Sequence, residues 1–369
     1  MTQLADCLIV GGGVIGLSLA YELARNGLRV RVVERGLPGR EASWAGAGIL
    51  PPVGPAGGNH PYQQLARLSH ELHPGWARQL REETGIDNGY LRSGAIYLAE
   101  PGGESALRAA ARTWHEEGLA TEVLDTRRLI ELEPELTTAA DGRLACWLPD
   151  EAQIRNPRHL KALAAACRLL GVEIESGLAV EDFDVQAGRV DALRTASGRL
   201  VAGQFCIATG AWTRTLLSRI GFEPAVKPVR GQIVLLSGGC GLRRIVNEGS
   251  RYLVPRGDGR VLVGSTEEDA GFDKRTTAEA VGSLIRFALD LVPALGSAQL
   301  EQCWAGLRPG TLDGLPYLGR VPGLDNAFVA AGHFRSGLRL SCATAVVIGR
   351  LMRGEPPGID LAPFRLDRG

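Results

Sequence analysis

The chain has 369 residues, 41 Lys plus Arg against 41 Asp plus Glu, and only 5% aromatic side chains. A formal charge of zero leaves no electrostatic footprint for nucleic acid or an anionic membrane, and so few aromatics leave little surface for stacking bases. The length suits two domains or one large α/β unit with an insertion, and seven scattered cysteines without a CxxC pair argue against a zinc or dithiol centre and fit a reducing cytosol.

The first predicted element is a strand at 7–10 that runs into Gly11-Gly12-Gly13-Val14-Ile15-Gly16. An amphipathic helix over 14–26 follows, stopped by Gly27, and then a strand at 30–33 closed by Glu34. This is the dinucleotide-binding βαβ pattern. Gly11 permits the tight turn, Gly13 lets backbone approach a pyrophosphate, and Gly16 lets the helix pack close to the sheet. The helix N-terminus offers free N–H groups and its positive dipole end to phosphates, and Glu34 stands where a carboxylate can hold ribose hydroxyls. Residues 7–20 are apolar enough to suggest a signal peptide, but they lack a basic leader and are broken by glycines. No other stretch reaches the ~18 apolar residues of a membrane span.

Residues 40–52 are rich in small side chains and end in a Pro/Gly loop reaching Asn59. They read either as a close contact for something flat and bulky or as a plain linker. Helix patterns follow at 62–84, 104–117 and 125–133, with a strand pair, or a single strand with Ser93-Gly94 inside it, at 90–99 between the first two. These do not continue the dinucleotide pattern and read as inserted. Turn chemistry at 151–157 leads into a helix over 158–170 that Gly171 stops. A strand at 172–176, a hairpin of 180–185 and 189–195 around Ala187-Gly188, and a strand at 200–207 ending in Ala208-Thr209-Gly210-Ala211-Trp212 return to the nucleotide fold. A strand at 227–236, a hairpin of 252–255 and 260–264 around Arg256-Gly257-Asp258-Gly259, a helix over 276–292 and a strand at 299–307 form a second insertion. A buried strand at 327–331, a glycine turn at 332–337 and an apolar helix over 338–352 close the chain.

Several of these pieces carry a resemblance: Gly11 to Gly16 with Glu34, Ala208 to Trp212, Asp150-Glu151-Ala152-Gln153-Ile154-Arg155-Asn156-Pro157, Trp304-Ala305-Gly306-Leu307-Arg308-Pro309-Gly310-Thr311, and Gly332-His333-Phe334-Arg335-Ser336-Gly337-Leu338. Over nearly its whole length the chain resembles the D-amino-acid oxidase superfamily of FAD-dependent amine oxidoreductases, and within it the glycine oxidases of thiazole biosynthesis. The resemblance implies an α/β fold with an FAD-binding Rossmann-type (glutathione-reductase-like) domain from 1–75, 143–225 and 312–369. An α+β substrate domain of mostly antiparallel sheet, from 76–142 and 226–311, is inserted into it. The extra glycine turns at Thr209-Gly210 and 332–337 fit a long, enclosed cofactor better than a nicotinamide.

The same resemblance implies the site. Gly11, Gly13, Val14, Ile15, Gly16, Glu34 and Arg35 would hold the nucleotide, and Ser43, Ala47, Gly48 and Ile49 would line the flavin and pyrophosphate. Val180 would meet the adenine, Thr209, Gly210 and Trp212 would close that end, and Gly306, His333, Arg335, Ser336, Gly337 and Leu338 would surround the flavin. Gly337 and Leu338, at a helix start, would stabilise negative charge on the reduced ring. Cys303 is three residues off the register of the covalent attachment in sarcosine oxidases, at Gly306, so FAD is expected to be non-covalent. Arg308 and Tyr252 would hold a substrate carboxylate, Ile49 would wall the pocket, and Arg335 would add positive potential or brace its loop. Ser250 and Glu267 depart from the family pattern and are expected near the pocket wall.

The implied reaction is oxidation of glycine, sarcosine or a small D-amino acid to an imine, with oxygen as acceptor and hydrogen peroxide as product. No acid–base residue is required. No metal is expected. The expected partners are the small substrate, oxygen and a thiazole synthase, in a cytoplasmic homo-oligomer such as the tetramers of similar enzymes. The competing readings are a D-amino-acid or glycine dehydrogenase with another electron acceptor, and a non-catalytic FAD-binding or tRNA-modifying protein.

Overall fold

The computed structural model describes residues 4–55, 58, 60–136 and 142–368, so the expected end of the Pro/Gly loop at Asn59 lies outside the described residues. Two large sheets organise the chain. The first runs Tyr317–Arg320, Ala327–Ala331, Ala202–Ile207, Ala5–Val10, Val30–Glu34, Glu173–Ser176, parallel throughout except for its Tyr317–Arg320 edge. Its central strand is CLIV, apolar on both faces, as a strand covered on both sides must be. One face packs under the helices Val14–Arg25, Pro61–Thr84, Asn156–Leu169 and Gly337–Met352 in a shared apolar core. The other face packs against the three-stranded Val180–Gln186, Arg189–Thr195, Gly198–Leu200 sheet. Ala187 and Gly188, at φ of +46° and +75°, make its first turn.

The second sheet has eight strands: Gln299–Gly310, Lys227–Ser237, Arg260–Gly264, Arg251–Pro255, Ile245–Glu248, Ala95–Leu98, Ala145–Leu148 and Glu122–Leu124. Its pairs are antiparallel apart from Ile245–Glu248 beside Ala95–Leu98. Alternation sorts its side chains. Val234, Val246, Leu253 and Val263 face a core closed by the helix Ala278–Leu291, while Ile233, Tyr252, Tyr97 and Trp304 face the other way, toward Ala47 and Ile49.

Several elements differ from expectation. The strand expected at 90–99 shrinks to Ala95–Leu98 because Gly94 turns the chain at φ +69°. Residues 42–50 are no linker: they form the short helix Ala42–Ala45 and the strand Ile49–Leu50, which pairs with Ala152–Gln153. The boundary expected at residue 75 falls inside the helix Pro61–Thr84, whose Trp76 and Leu80 belong to the core of the first sheet. The strand Ala145–Leu148, placed by sequence with the nucleotide fold, is hydrogen-bonded into the eight-stranded sheet.

Candidate active site

A cavity of about 690 Å³ lies between the two sheets, with walls from both. At its nucleotide end Gly11 has φ +111°, and a Cβ there would overlap the Ala208 carbonyl. A Cβ on Gly16 would overlap the carbonyl of Gly11. Gly16 therefore seats the helix against the strand and does not line the cavity, whereas Gly11, Gly13, Val14 and Ile15 do. No side chain caps that helix at Gly13, and the Val14 N–H donates to Ser43 Oγ at 2.9 Å. The Glu34 carboxylate accepts the N–H groups of Gly12 and Gly36 at 2.8 and 2.9 Å, fixing the turn at the strand's end. Arg35 stacks 3.5 Å over the Trp212 ring, and both line the cavity with Val180, Thr209 and Gly210.

The middle of the cavity is built on residues 42–49, which are clamped from three directions. Asn156 Nδ2 donates to the Ser43 carbonyl at 2.7 Å, Arg256 to that of Ala47 at 2.6 Å, and Trp304 Nε1 to that of Ala45 at 3.1 Å. Gly48 has φ +76°, and a Cβ on it would overlap the Ile154 carbonyl. The small side chains of this segment thus hold Ser43, Ala47, Gly48 and Ile49 in the wall by close backbone contact. Opposite them, Gly306 gives room for Ala45, whose Cβ would meet a side chain at 2.5 Å.

The far end belongs to the eight-stranded sheet. Arg308 donates to Ser265 Oγ at 2.8 Å and to the Thr266 carbonyl at 3.1 Å. Burial pulls its guanidinium below the usual arginine range, and the neighbouring Tyr252 opposes that. Among the described residues no carboxylate pairs with Arg308. Tyr252 lies across Gly264, where a Cβ would come within 2.6 Å of the tyrosine hydroxyl. Ser250 lines the same end.

The loop 332–338 closes the cavity with His333, Arg335, Ser336, Gly337 and Leu338. His333 is buried and neutral: burial pushes it down to about 3, and its Nε2 meets Thr344 Oγ1 at 3.1 Å. Ser336 Oγ meets Tyr62 Oη at 3.0 Å, and the helix Gly337–Met352 starts without a side-chain cap. Arg335 pairs with Glu267, so Glu267 stands beside the wall, as a partner of the loop arginine, without itself lining the cavity. Cys303 is likewise outside the lining and points to Thr276.

Sequence reasoning passed over five residues of the wall or its support: Tyr97, Glu151, Asn156, Asn247 and Arg256. Asn156 could have been found as the Asn-Pro start of a helix. Arg256 read as a turn residue, and Tyr97 and Asn247 lie on four-residue strands too short to show a period.

A model of the FAD dependent oxidoreductase family, DAO, matches residues 6–351. A glycine oxidase of Pseudomonas aeruginosa is 38% identical over 365 residues, covering 97% of each chain. That of Geobacillus kaustophilus is 36% identical, and its crystal structure matches with a TM-score of 0.93 over 99% of both chains. A bifunctional ThiO/ThiG protein of Synechocystis is 34% identical over 95% of this chain and 52% of its own length. No described helix is long and apolar enough to cross a membrane.

Proposed function

The chain belongs to the DAO family of FAD-dependent oxidoreductases, and on that premise we propose that it oxidises glycine, with sarcosine and small D-amino acids as further substrates, using oxygen as the acceptor. The observation that carries this reading is Arg308: a half-buried guanidinium in the cavity wall, hydrogen-bonded to neutral groups and, among the described residues, ion-paired with no carboxylate. A cation partly withdrawn from water without a directly paired anion is costly, and a substrate carboxylate is the anion that pairs with it.

The residues present fit FAD. The bare Gly11 and Gly13, the start of the helix Val14–Arg25 and the Glu34 carboxylate suit a pyrophosphate and a ribose. The cavity continues from there past Val180 on one side and the Ser43–Ile49 backbone on the other. When bound, FAD supplies the two-electron acceptor and is reoxidised by oxygen to give hydrogen peroxide. With Cys303 outside the cavity, it is held non-covalently.

Arg308 and Tyr252 hold the carboxylate and leave the Cα hydrogen and the amine facing the cavity. Ile49 walls the pocket and, with the loop 332–338, excludes water. The Gly337 and Leu338 N–H groups stand at an uncapped helix end, where negative charge is stabilised. Neutral His333 braces that helix through Thr344. The imine product hydrolyses to glyoxylate and ammonia or passes to a thiazole synthase, a partner favoured by the ThiO/ThiG relative.

Anaerobic addition of glycine to the purified yellow protein tests the reading. Bleaching of the flavin, followed by recovery and peroxide on admitting oxygen, is the expected result. Bleaching without reoxidation by oxygen would make it a dehydrogenase, and no bleaching with glycine, sarcosine or D-alanine would overturn the substrate class.

A further inference from the structure

The cavity face of the eight-stranded sheet sets Tyr252, Asn247 and Tyr97 in one row. Asn247 is the register partner of Tyr252 on one side and of Tyr97 on the other. Directly paired residues share a face and stand about 5 Å apart, so Asn247 is the immediate neighbour of the tyrosine placed at the substrate carboxylate. All three line the cavity, as does Glu151.

Glu151 is fully buried. One of its oxygens accepts the Tyr97 hydroxyl at 2.7 Å, and the other, Oε1, has no hydrogen-bond partner. The Asn247 amide nitrogen also closes no hydrogen bond, yet it acts on the Glu151 carboxyl closely enough to favour its charged form. An amide that turns Nδ2 toward that carboxyl turns its oxygen away from it, because the group is planar. In an α-amino acid the nitrogen is two bonds from the carboxylate carbon. A residue that meets the nitrogen must therefore adjoin the residue that meets the carboxylate.

Resting on the reading that glycine is the substrate, we propose that Asn247 receives the substrate's amino group through its amide oxygen. Glu151, seated by Tyr97, is the positioning residue that keeps the amide in that orientation.

The orientation depends on the charge of Glu151. A carboxylate attracts the amide N–H. A carboxylic acid has a proton to donate, is best met by the amide oxygen, and so turns the N–H₂ toward an amine that is itself a donor. Burial pushes Glu151 up to about 7, against Tyr97 from the strand Ala95–Leu98, Arg339 from the last helix, and Asn247. Tyr97 is itself raised well above the usual tyrosine range by burial and by Glu151, so it remains a donor.

The test uses the FAD-loaded enzyme, glycine as substrate, and acetate, which has the carboxylate and no polar group in the amine's place, as competitive inhibitor. Asn247→Ala is expected to raise the glycine KM about 10- to 100-fold while acetate inhibition stays within about 2-fold. Glu151→Gln mimics the acid form, so its glycine KM should exceed the wild-type value above about pH 7 and converge on it below, with an unchanged flavin spectrum and unchanged acetate inhibition. If Asn247→Ala weakens glycine and acetate equally, or the ratio of the Glu151→Gln to the wild-type KM does not change with pH, the proposal is overturned while the glycine reading stands. Wild-type protein inert toward glycine overturns both.

Discussion

The guanidinium of Arg308 lies over Gly231, so close that a Cβ built on the glycine would overlap it. The two residues sit on paired strands of the eight-stranded sheet, where Gly231 is the register partner of Gly306. The bare backbone at Gly231 is what lets the arginine lie flat in the cavity wall. Gly231→Ala should therefore displace Arg308 without unfolding the sheet, lowering kcat/KM for glycine about 10- to 100-fold, since a small misplacement of a positioning group has that effect. Oxygen uptake and a melting curve on the same sample check both halves.

Removing the arginine itself should cost more. Arg308→Ala is expected to lower kcat/KM about 1000-fold, in line with the 2–5 kcal/mol seen when one partner of a buried charge pair is lost. Arg308→Lys restores charge but not the planar fork and should recover only part. Equal activity of the alanine and wild-type enzymes would remove Arg308 from the site.

At the nucleotide end, Gly11→Ala meets both a positive φ and the Ala208 carbonyl. Neither can yield, because Gly11 and Ala208 directly follow two paired central strands of the first sheet. The expected product is colourless protein with a lowered melting temperature, read from its flavin absorbance per chain.

The Arg335–Glu267 pair is about 40% exposed on both sides. Exposed pairs contribute little, so Glu267→Ala should change stability by less than about 1 kcal/mol. A urea titration measures it. A larger loss would mean that the pair holds the 332–338 loop in place.

Acid should weaken the fold through its buried histidines. Burial pushes His73 down to about 4 and His159 and His333 to about 3, while the unfolded chain titrates near 6.5. The folded values are depressed, so their contribution is whole above pH 6.5 and is lost as pH falls from there toward 4 for His73 and toward 3 for His159 and His333. Urea midpoints should fall over that window, and His333→Asn should flatten the fall.

Much of the first sheet and of its glycine turn was legible because each signal is local. Gly11, Gly13, Gly16 and Glu34 lie within 24 residues, and the strand, helix and strand around them carry clean periods. The clamp on residues 42–49 was not legible. Its holding groups, Asn156, Arg256 and Trp304, come from distant stretches, and a run of small residues reads the same whether it is clamped or free. Glu267 was placed near the pocket wall, but its pairing with Arg335, about 70 residues further on, left no mark in the sequence.

The sequence by itself determined the dinucleotide turn and most of the order of strands and helices. Those depend on residue type and short-range spacing. Only the tertiary structure decided that Tyr252, Asn247 and Tyr97 stand in one row, and that Glu151 is buried behind them with an oxygen unpartnered. Strand register sets which side chains become neighbours: Asn247 meets Tyr252 across a short hairpin, but its register with Tyr97 joins segments about 150 residues apart. No local pattern records that second pairing, because it is fixed by the packing of the whole sheet against its two cores.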